Sequence, residues 1–164
     1  GDIGELDEDG YLKIIDRKKR LLVLSTGMNV APQPIENAIN ESGYISQSLV
    51  IGDNRKYVIC LVNPDYENLI PWANKNGITV RTREEISQHH LVKELLENEV
   101  RKLTKKFTNY AQPKKVIVIG KEWTIDGGEL TPKLSLKTNV IEKRYNTLIE
   151  KVYGEERKEA KEVG

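Results

Sequence analysis

The chain has 164 residues and a single cysteine, Cys60. A lone cysteine excludes an internal disulfide framework and fits a reducing, cytoplasmic compartment. No apolar run approaches the roughly 20 residues needed to span a bilayer. The opening Gly1-Asp2-Ile3-Gly4-Glu5 has no basic region followed by an apolar one, so it is not a signal peptide. It also lacks an initiator Met and reads as cut from something longer. Neither sign of charge is in excess: 26 Lys and Arg stand against 25 Asp and Glu, a net charge of +1. No whole-molecule field therefore calls for nucleic acid or an anionic membrane. A Gly-x-Ser-x-Gly elbow, a phosphate-binding Gly-rich loop and a dinucleotide fingerprint are all missing. The two histidines, His89 and His90, are adjacent. Adjacent helix positions point about 100° apart, which suits a shared metal poorly. They read as surface or half-buried polar residues. Cys60 lies in an apolar run and reads as a buried, inert thiol.

What is present alternates strands and helices. Residues 6–15 read as a hairpin around Asp9-Gly10, since Asp-Gly supplies the backbone angles of a tight turn. Asp16-Arg17-Lys18-Lys19-Arg20 is an abrupt charged break. Residues 21–24 read as a strand and 25–29 as a turn. Val30-Ala31-Pro32 leads into a helix with Ile35, Ala38 and Ile39 on one face, and Gly43 is its expected stop. Residues 46–51 and 57–62 read as strands joined by the loop 52–56. A second helix starts around Asn63-Pro64-Asp65, with Asp65 as its cap, Leu69, Trp72 and Ala73 inward, and Asn76-Gly77 as its end. Residues 82–106 read as mainly helical, marked by Leu91, Leu95, Val100, Leu103 and Phe107. Residues 116–119 read as a strand and 123–130 as a loop. A last helix spans 140–153, with Val140, Tyr145, Leu148, Ile149 and Val152 for packing. The charged tail 155–164 is expected to fray. The fold class expected is α+β, a small mixed sheet packed with helices.

Lys102, Lys105, Lys106, Lys114 and Lys115 form a basic stretch around Tyr110. A solvated helix face is the default for such a run; a patch meeting the phosphates of a nucleotide or CoA is the sharper alternative.

Residues 1–19, from Gly1-Asp2 through Asp9-Gly10-Tyr11 to Asp16-Arg17-Lys18-Lys19, resemble a signature of the adenylate-forming superfamily. Gly27-Met28-Asn29-Val30-Ala31-Pro32-Gln33-Pro34-Ile35-Glu36 resembles the loop and helix that follow it in that family. Gly128-Glu129-Leu130-Thr131-Pro132-Lys133-Leu134-Ser135-Leu136-Lys137 is similar to the closing motif of the long-chain fatty acid–CoA ligases. The resemblance implies a two-step reaction: ATP and a fatty acid give an acyl-adenylate and pyrophosphate, then CoA gives acyl-CoA and AMP. It further implies that residues 1–16 end a larger N-terminal ATP-binding domain, the hairpin being its remnant, and that 17–154 form the mobile C-terminal domain. Asp16 is the implied hinge. Asp2 and Arg17 are the implied ribose contacts. Gly27 is implied to approach the pantetheine arm of CoA. Magnesium is expected with ATP, bound mainly by the N-terminal domain.

These roles make chemical sense: a carboxylate accepts both ribose hydroxyls, and a guanidinium offers a fork of donors. One departure stands out. The family's adenylation lysine falls on Ser135, and serine carries no positive charge. Lys133 and Lys137 lie two residues to either side, and in an extended segment such residues share a face. Lys137, next to the final helix, is the favoured substitute. The isolated chain is expected to be inactive. Implied partners are fatty acid, ATP, CoA and the chain's own N-terminal domain, with peripheral membrane attachment of the parent open. The alternatives are another acyl or aryl adenylate-forming ligase, or a stand-alone nucleotide-binding or interaction module.

Overall fold

The computed structural model describes residues 20–79 and 82–163. The expected hairpin over 6–15, together with Asp2, Asp16 and Arg17, lies outside the described residues. The described chain starts with two short antiparallel strands, β1 (Leu22–Val23) and β2 (Asn29–Val30), Leu22 standing opposite Val30. Helix α1 (Pro32–Ile39) follows. Proline suits its first turn, where the missing N–H would have no partner in any case. Ile35, Ala38 and Ile39 are buried, as their spacing predicts. The helix ends at Asn40 rather than at Gly43: Glu41 and Ser42 donate to the carbonyls of Ala38 and Ile39 and turn the chain early.

Strands β3 (Ile45–Ile51) and β4 (Ile59–Pro64) pair antiparallel, and β5 (Val116–Val118) pairs with β4 in parallel. The sheet order is β3-β4-β5. Its two faces split by the period of the strand. Val50, Cys60, Val62 and Val118 pack on one face with α1 and with the helices that join β4 to β5. Leu49, Leu61, Ile117 and Ile119 pack on the other with Trp123, Ile141 and Ile149. The expected α+β class, a small mixed sheet with helices, is what the structure shows. Cys60 is fully buried, and desolvation pushes its thiol up.

The helices differ in detail from the sequence reading. α2 (Tyr66–Lys75) is capped by Asp65, whose carboxylate accepts the Glu67 N–H, and it buries Leu69 and Ala73; Trp72 is half-buried, and Asn63 and Pro64 belong to β4. The single helix expected over 82–106 is two, α3 (Arg83–Gln88) and α4 (His90–Thr104), because His89 is extended at φ −70° and ψ 136°. A capping box of Thr82 and Glu85 starts α3; His89 caps α4 by accepting the Leu91 N–H. This break stacks the His89 and His90 rings 4.7 Å apart, where a continuous helix would splay them. The buried stripe of α4 is Val92, Leu96, Val100 and Thr104, with Leu91, Leu95 and Leu103 only half-buried. A short 3-10 turn (Asn109–Ala111) precedes β5. The last helix is also two, α5 (Thr138–Arg144) and α6 (Asn146–Val163), broken at Tyr145. Ile141, Ile149 and Tyr153 carry the packing, while Leu148 is exposed. α6 runs on through the stretch expected to fray.

Two polar clusters tie the outlying segments to the sheet. β3 is an edge strand, so one row of its backbone groups needs partners outside the sheet. Glu36 of α1 supplies one. It is 5% exposed, and its carboxylate accepts the Val50 N–H at 2.7 Å and both Arg20 guanidinium nitrogens at 2.9 and 3.0 Å. Ser48 adds a bond from its hydroxyl to the Asn40 side chain of α1. The β1–β2 hairpin is held by the β3–β4 loop: the Val23 N–H donates to Asp53, Ser25 N–H to the Arg55 carbonyl and Asn54 N–H to the Val23 carbonyl. Arg55 in turn pairs with Glu150 and lies over the Tyr153 ring. Asp53, Arg55, Glu142 and Tyr153 line a small crevice of about 90 Å³. Desolvation there raises the Glu142 carboxyl, and Asp53 adds to it, against the opposing pull of Arg20 and Arg55.

Glu36→Ala leaves the buried Val50 N–H without an acceptor and is expected to cost about 2–3 kcal/mol in urea unfolding. Arg20→Ala takes away the Glu36 countercharge and a 3.2 Å bond to the Val50 carbonyl but leaves the Val50 N–H its acceptor, and is expected to cost less, about 1–2 kcal/mol; equal losses in the two variants would contradict the backbone-acceptor role of Glu36. Glu142 titrates higher in the folded chain than in the unfolded one, so the folded state binds more protons in that window. Stability from this group is therefore lost as pH rises from the ordinary carboxylate range through the raised folded value. Glu142→Gln is expected to stabilise the chain at neutral pH and to flatten that slope; a midpoint unchanged at neutral pH would refute it.

Candidate functional site

The candidate residues sit on two loops. The first is the turn of the β1–β2 hairpin. Gly27 holds φ at +92°, donates its N–H to the Leu24 carbonyl at 2.8 Å, and has open space where a Cβ would stand. Its glycine is required by backbone angle and not by crowding, since an ordinary residue loses about 1–2 kcal/mol there. Met28 beside it and Val23 across from it are exposed.

The second loop carries Lys133, Ser135 and Lys137. It is not the extended segment expected from the sequence. Leu130 and Leu136 form an antiparallel bridge, and the chain between them folds into a tight hairpin. The Leu134 N–H donates to the Thr131 carbonyl and the Thr131 N–H to the Ser135 carbonyl, both at 2.8 Å. Leu134 takes a positive φ of 66° to close the turn. The alternation that would set Lys133, Ser135 and Lys137 on one face is therefore broken. Lys133 is in the turn, whereas Lys137 is at the base, in the cap position just before α5. All three are exposed. The Lys137 backbone is clamped by a 2.7 Å bond from its N–H to the Glu129 carbonyl.

Glu129 anchors this loop, and sequence reasoning passed over its role. It is 2% exposed. One carboxylate oxygen accepts the Thr124 N–H at 3.0 Å, and the other pairs with Arg144 at the end of α5. Gly127 passes so close that a Cβ there would meet a Glu129 oxygen at 2.4 Å. Upstream, Gln47 of β3 exchanges two hydrogen bonds with the Trp123 backbone, at 2.8 and 2.9 Å. The only sequence signal for this anchoring is an acidic residue next to Leu130 that faces an arginine fifteen positions on. That separation matches no helical or strand period.

The two loops do not meet in a shared pocket. The Gly27 hairpin is bonded to the β3–β4 loop, and the Lys137 hairpin follows Trp123, which is fastened near the start of β3. α5 connects them: Lys137 stands just before it, and Glu142, about 7.5 Å further along its axis, lines the crevice with Asp53 and Arg55. A cavity of about 610 Å³ lies elsewhere, among Tyr66, Arg83, Gly120, Lys121 and Tyr145, and takes in none of the candidate residues. Among the described residues, no three His, Cys, Asp or Glu side chains gather to hold a metal. None of the helices there is long and apolar enough to cross a membrane. What the arrangement offers chemically is two exposed ammonium groups on one loop, that of Lys137 on an anchored backbone, available to an anion.

Long-chain-fatty-acid–CoA ligase FadD15 of Mycobacterium tuberculosis is 30% identical over 158 residues, which cover 95% of this chain and 26% of that protein. Long-chain-fatty-acid–CoA ligase 5 of Rattus norvegicus is 36% identical over 156 residues, 93% of this chain and 23% of that protein. The chain thus spans about a quarter of the length of these curated relatives. Among solved structures, the A-PCP didomain of carboxylic acid reductase from Segniliparus rugosus, in complex with AMP, superposes with a TM-score of 0.67 at 25% identity, over 86% of this chain and 18% of that one. The adenylation domain of a carboxylate reductase from Mycobacterium chelonae shares the fold at the same TM-score of 0.67 and 23% identity, over 82% of this chain and 19% of that one. A family profile described as AMP-binding enzyme C-terminal domain matches residues 19–157. With that match across most of its length, the chain belongs to the family of AMP-binding enzyme C-terminal domains, and its homologues include long-chain fatty acid–CoA ligases.

Proposed function

We propose that the chain is the C-terminal domain of a long-chain fatty acid–CoA ligase. The observation that carries this reading is the family match over residues 19–157 together with relatives named as such ligases. In the proposed reaction a fatty-acid carboxylate oxygen attacks the α-phosphorus of ATP, and pyrophosphate leaves. The CoA sulfur then attacks the acyl carbonyl, its proton is lost, and AMP departs with the bond electrons. The N-terminal ATP-binding domain, ending in residues 1–16, holds acid and nucleotide. The domain of residues 17–154 turns about Asp16 between the two steps. Asp2 and Arg17 contact the ribose, and Gly27 lines the path of the pantetheine arm. Magnesium, when bound with ATP, neutralises phosphate charge, and the described residues offer it no ready-made site.

Lys137 supplies the positive charge that Ser135 lacks. Its main chain is pinned by Glu129, so its ammonium projects from a fixed base. Lys133 starts from the turn of the hairpin, where fewer bonds hold the backbone. An ammonium that meets the negative charge building on the carboxylate and α-phosphate stabilises the transition state more than the ground state.

The test is palmitate-dependent acyl-CoA formation by the full-length parent, with ATP and magnesium. Lys137→Ala is expected to lower kcat by about 10²–10³, the usual loss for one such electrostatic contact, with Lys133→Ala near the parent rate. The reverse ranking would move the role to Lys133, and equal activity in both variants would remove it from this loop. Acyl-adenylate without thioester would favour another adenylate-forming class. The 164-residue chain alone is expected to form no acyl-CoA; turnover by it would refute the division of labour between the two domains.

A further inference from the structure

From Val100 through Lys121 the sequence contains seven cations and no Asp or Glu, which leaves the rest of the chain at a net charge of −6. A neutral total thus conceals a strong asymmetry. The fold draws six of the seven together. α4 runs back along β5: the Gln88 side chain, just before α4, bonds the Val118 carbonyl near the end of β5, and Gln112 and Lys114 bond the Phe107 carbonyl and Asn109 after α4 ends. Arg101, Lys102, Lys105 and Lys106 at the end of α4 therefore lie beside Lys114 and Lys115 at the start of β5, and all six are exposed. Lys102 pairs with Glu99 at 3.1 Å; among the described residues, the other five form no ion pair.

Helix electrostatics account for only part of this. Cations in a last helical turn complement the carbonyl end of the helix, which suits Arg101 and Lys102. Lys114 and Lys115 belong to a different segment and gain nothing from that helix end. Neither crevice described above includes any of the six. The array is an open surface and has no cavity fitted to a small anion. Five of its six cations are lysines, point charges without the fork that selects a phosphate or a base edge. Phe107 and Tyr110 lie half-buried among them, and Lys106 stands 5.7 Å from the Phe107 ring. Lysines spread around amphipathic aromatic rings suit a plane of negative headgroups over an apolar layer.

We propose that this end of the domain, formed by Arg101, Lys102, Lys105, Lys106, Lys114 and Lys115, docks on an anionic lipid bilayer. Association is electrostatic and reversible, driven by each lysine that comes within a Debye length of the headgroups. It depends on where the charge sits and not on the chain's total.

Vesicle co-sedimentation of the 164-residue chain tests this, with pure phosphatidylcholine vesicles against vesicles containing one quarter phosphatidylserine. Binding is expected only to the second kind, with loss at high salt. Lys105→Glu/Lys115→Glu removes one lysine from each segment, and neither side chain has a partner among the described residues. It should weaken binding at least about twenty-fold, since each lysine near such a surface contributes about five-fold. Lys93→Glu/Lys121→Glu makes the same change in net charge at exposed positions on the opposite end of α4 and β5, and should bind within about two-fold of the parent chain. Equal binding to neutral vesicles, or equal weakening by both double variants, would overturn the proposal. So would salt-sensitive capture of single-stranded RNA by a chain that ignores both vesicles.

Discussion

β4 is buried along its whole length, on both faces of the sheet, and most of the architecture follows from that one constraint. A three-stranded sheet whose central strand sees no water on either side needs a cover on each face. α1, α2 and α4 cover the face that carries Cys60 and Val62. Trp123, α5 and α6 cover the face that carries Ile59 and Leu61. The long excursion between β4 and β5 exists because a parallel partner strand cannot be reached by a tight turn. The loops that hold the candidate residues are what remains once both faces are closed.

The Lys137 loop and the segment that leads into the Gly27 hairpin are each tied down by a buried carboxylate. Glu36 and Glu129 are acids placed where sequence habit puts apolar residues. Each accepts a backbone N–H, and each pairs with an arginine that is itself part-exposed. The arrangement places the desolvation cost on one partner while the other keeps contact with water. It gives the segment after the charged break, and the segment that ends in Lys137, a defined position without a large core beneath them. A hairpin is docked by Asp53 and Arg55 on one side, and a loop is docked by Glu129 on the other.

Sequence alone made the strands legible, because short continuous apolar runs such as those of β4 and β5 are what a strand covered on both faces requires. It made the start of α1 legible through Pro32 and the cap of α2 through Asp65, each of which acts within one turn. It missed the breaks at His89 and Tyr145. Both interrupt runs whose composition suits a continuous helix, and the extended backbone at His89 follows from packing α3 and α4 in different directions. The shift of the buried stripe in α4 from Leu91 and Leu95 to Val92 and Leu96 has the same origin: a helix restarted one residue later presents another face. Ser135 was read on an extended strand because nothing local announces that Leu134 will take a positive φ.

The sequence by itself determined the class of fold and, through its opening and closing motifs, the family to which the chain belongs. Both depend on short-range patterns, which residue identity and spacing encode directly. Tertiary structure alone decided how the closing lysines are presented. Pairings such as Glu129 with Arg144, Gln47 with Trp123 and Glu36 with Val50 join residues between 14 and 76 positions apart. No periodicity links such partners, and only the closing of the two faces of the sheet brings them within hydrogen-bond reach.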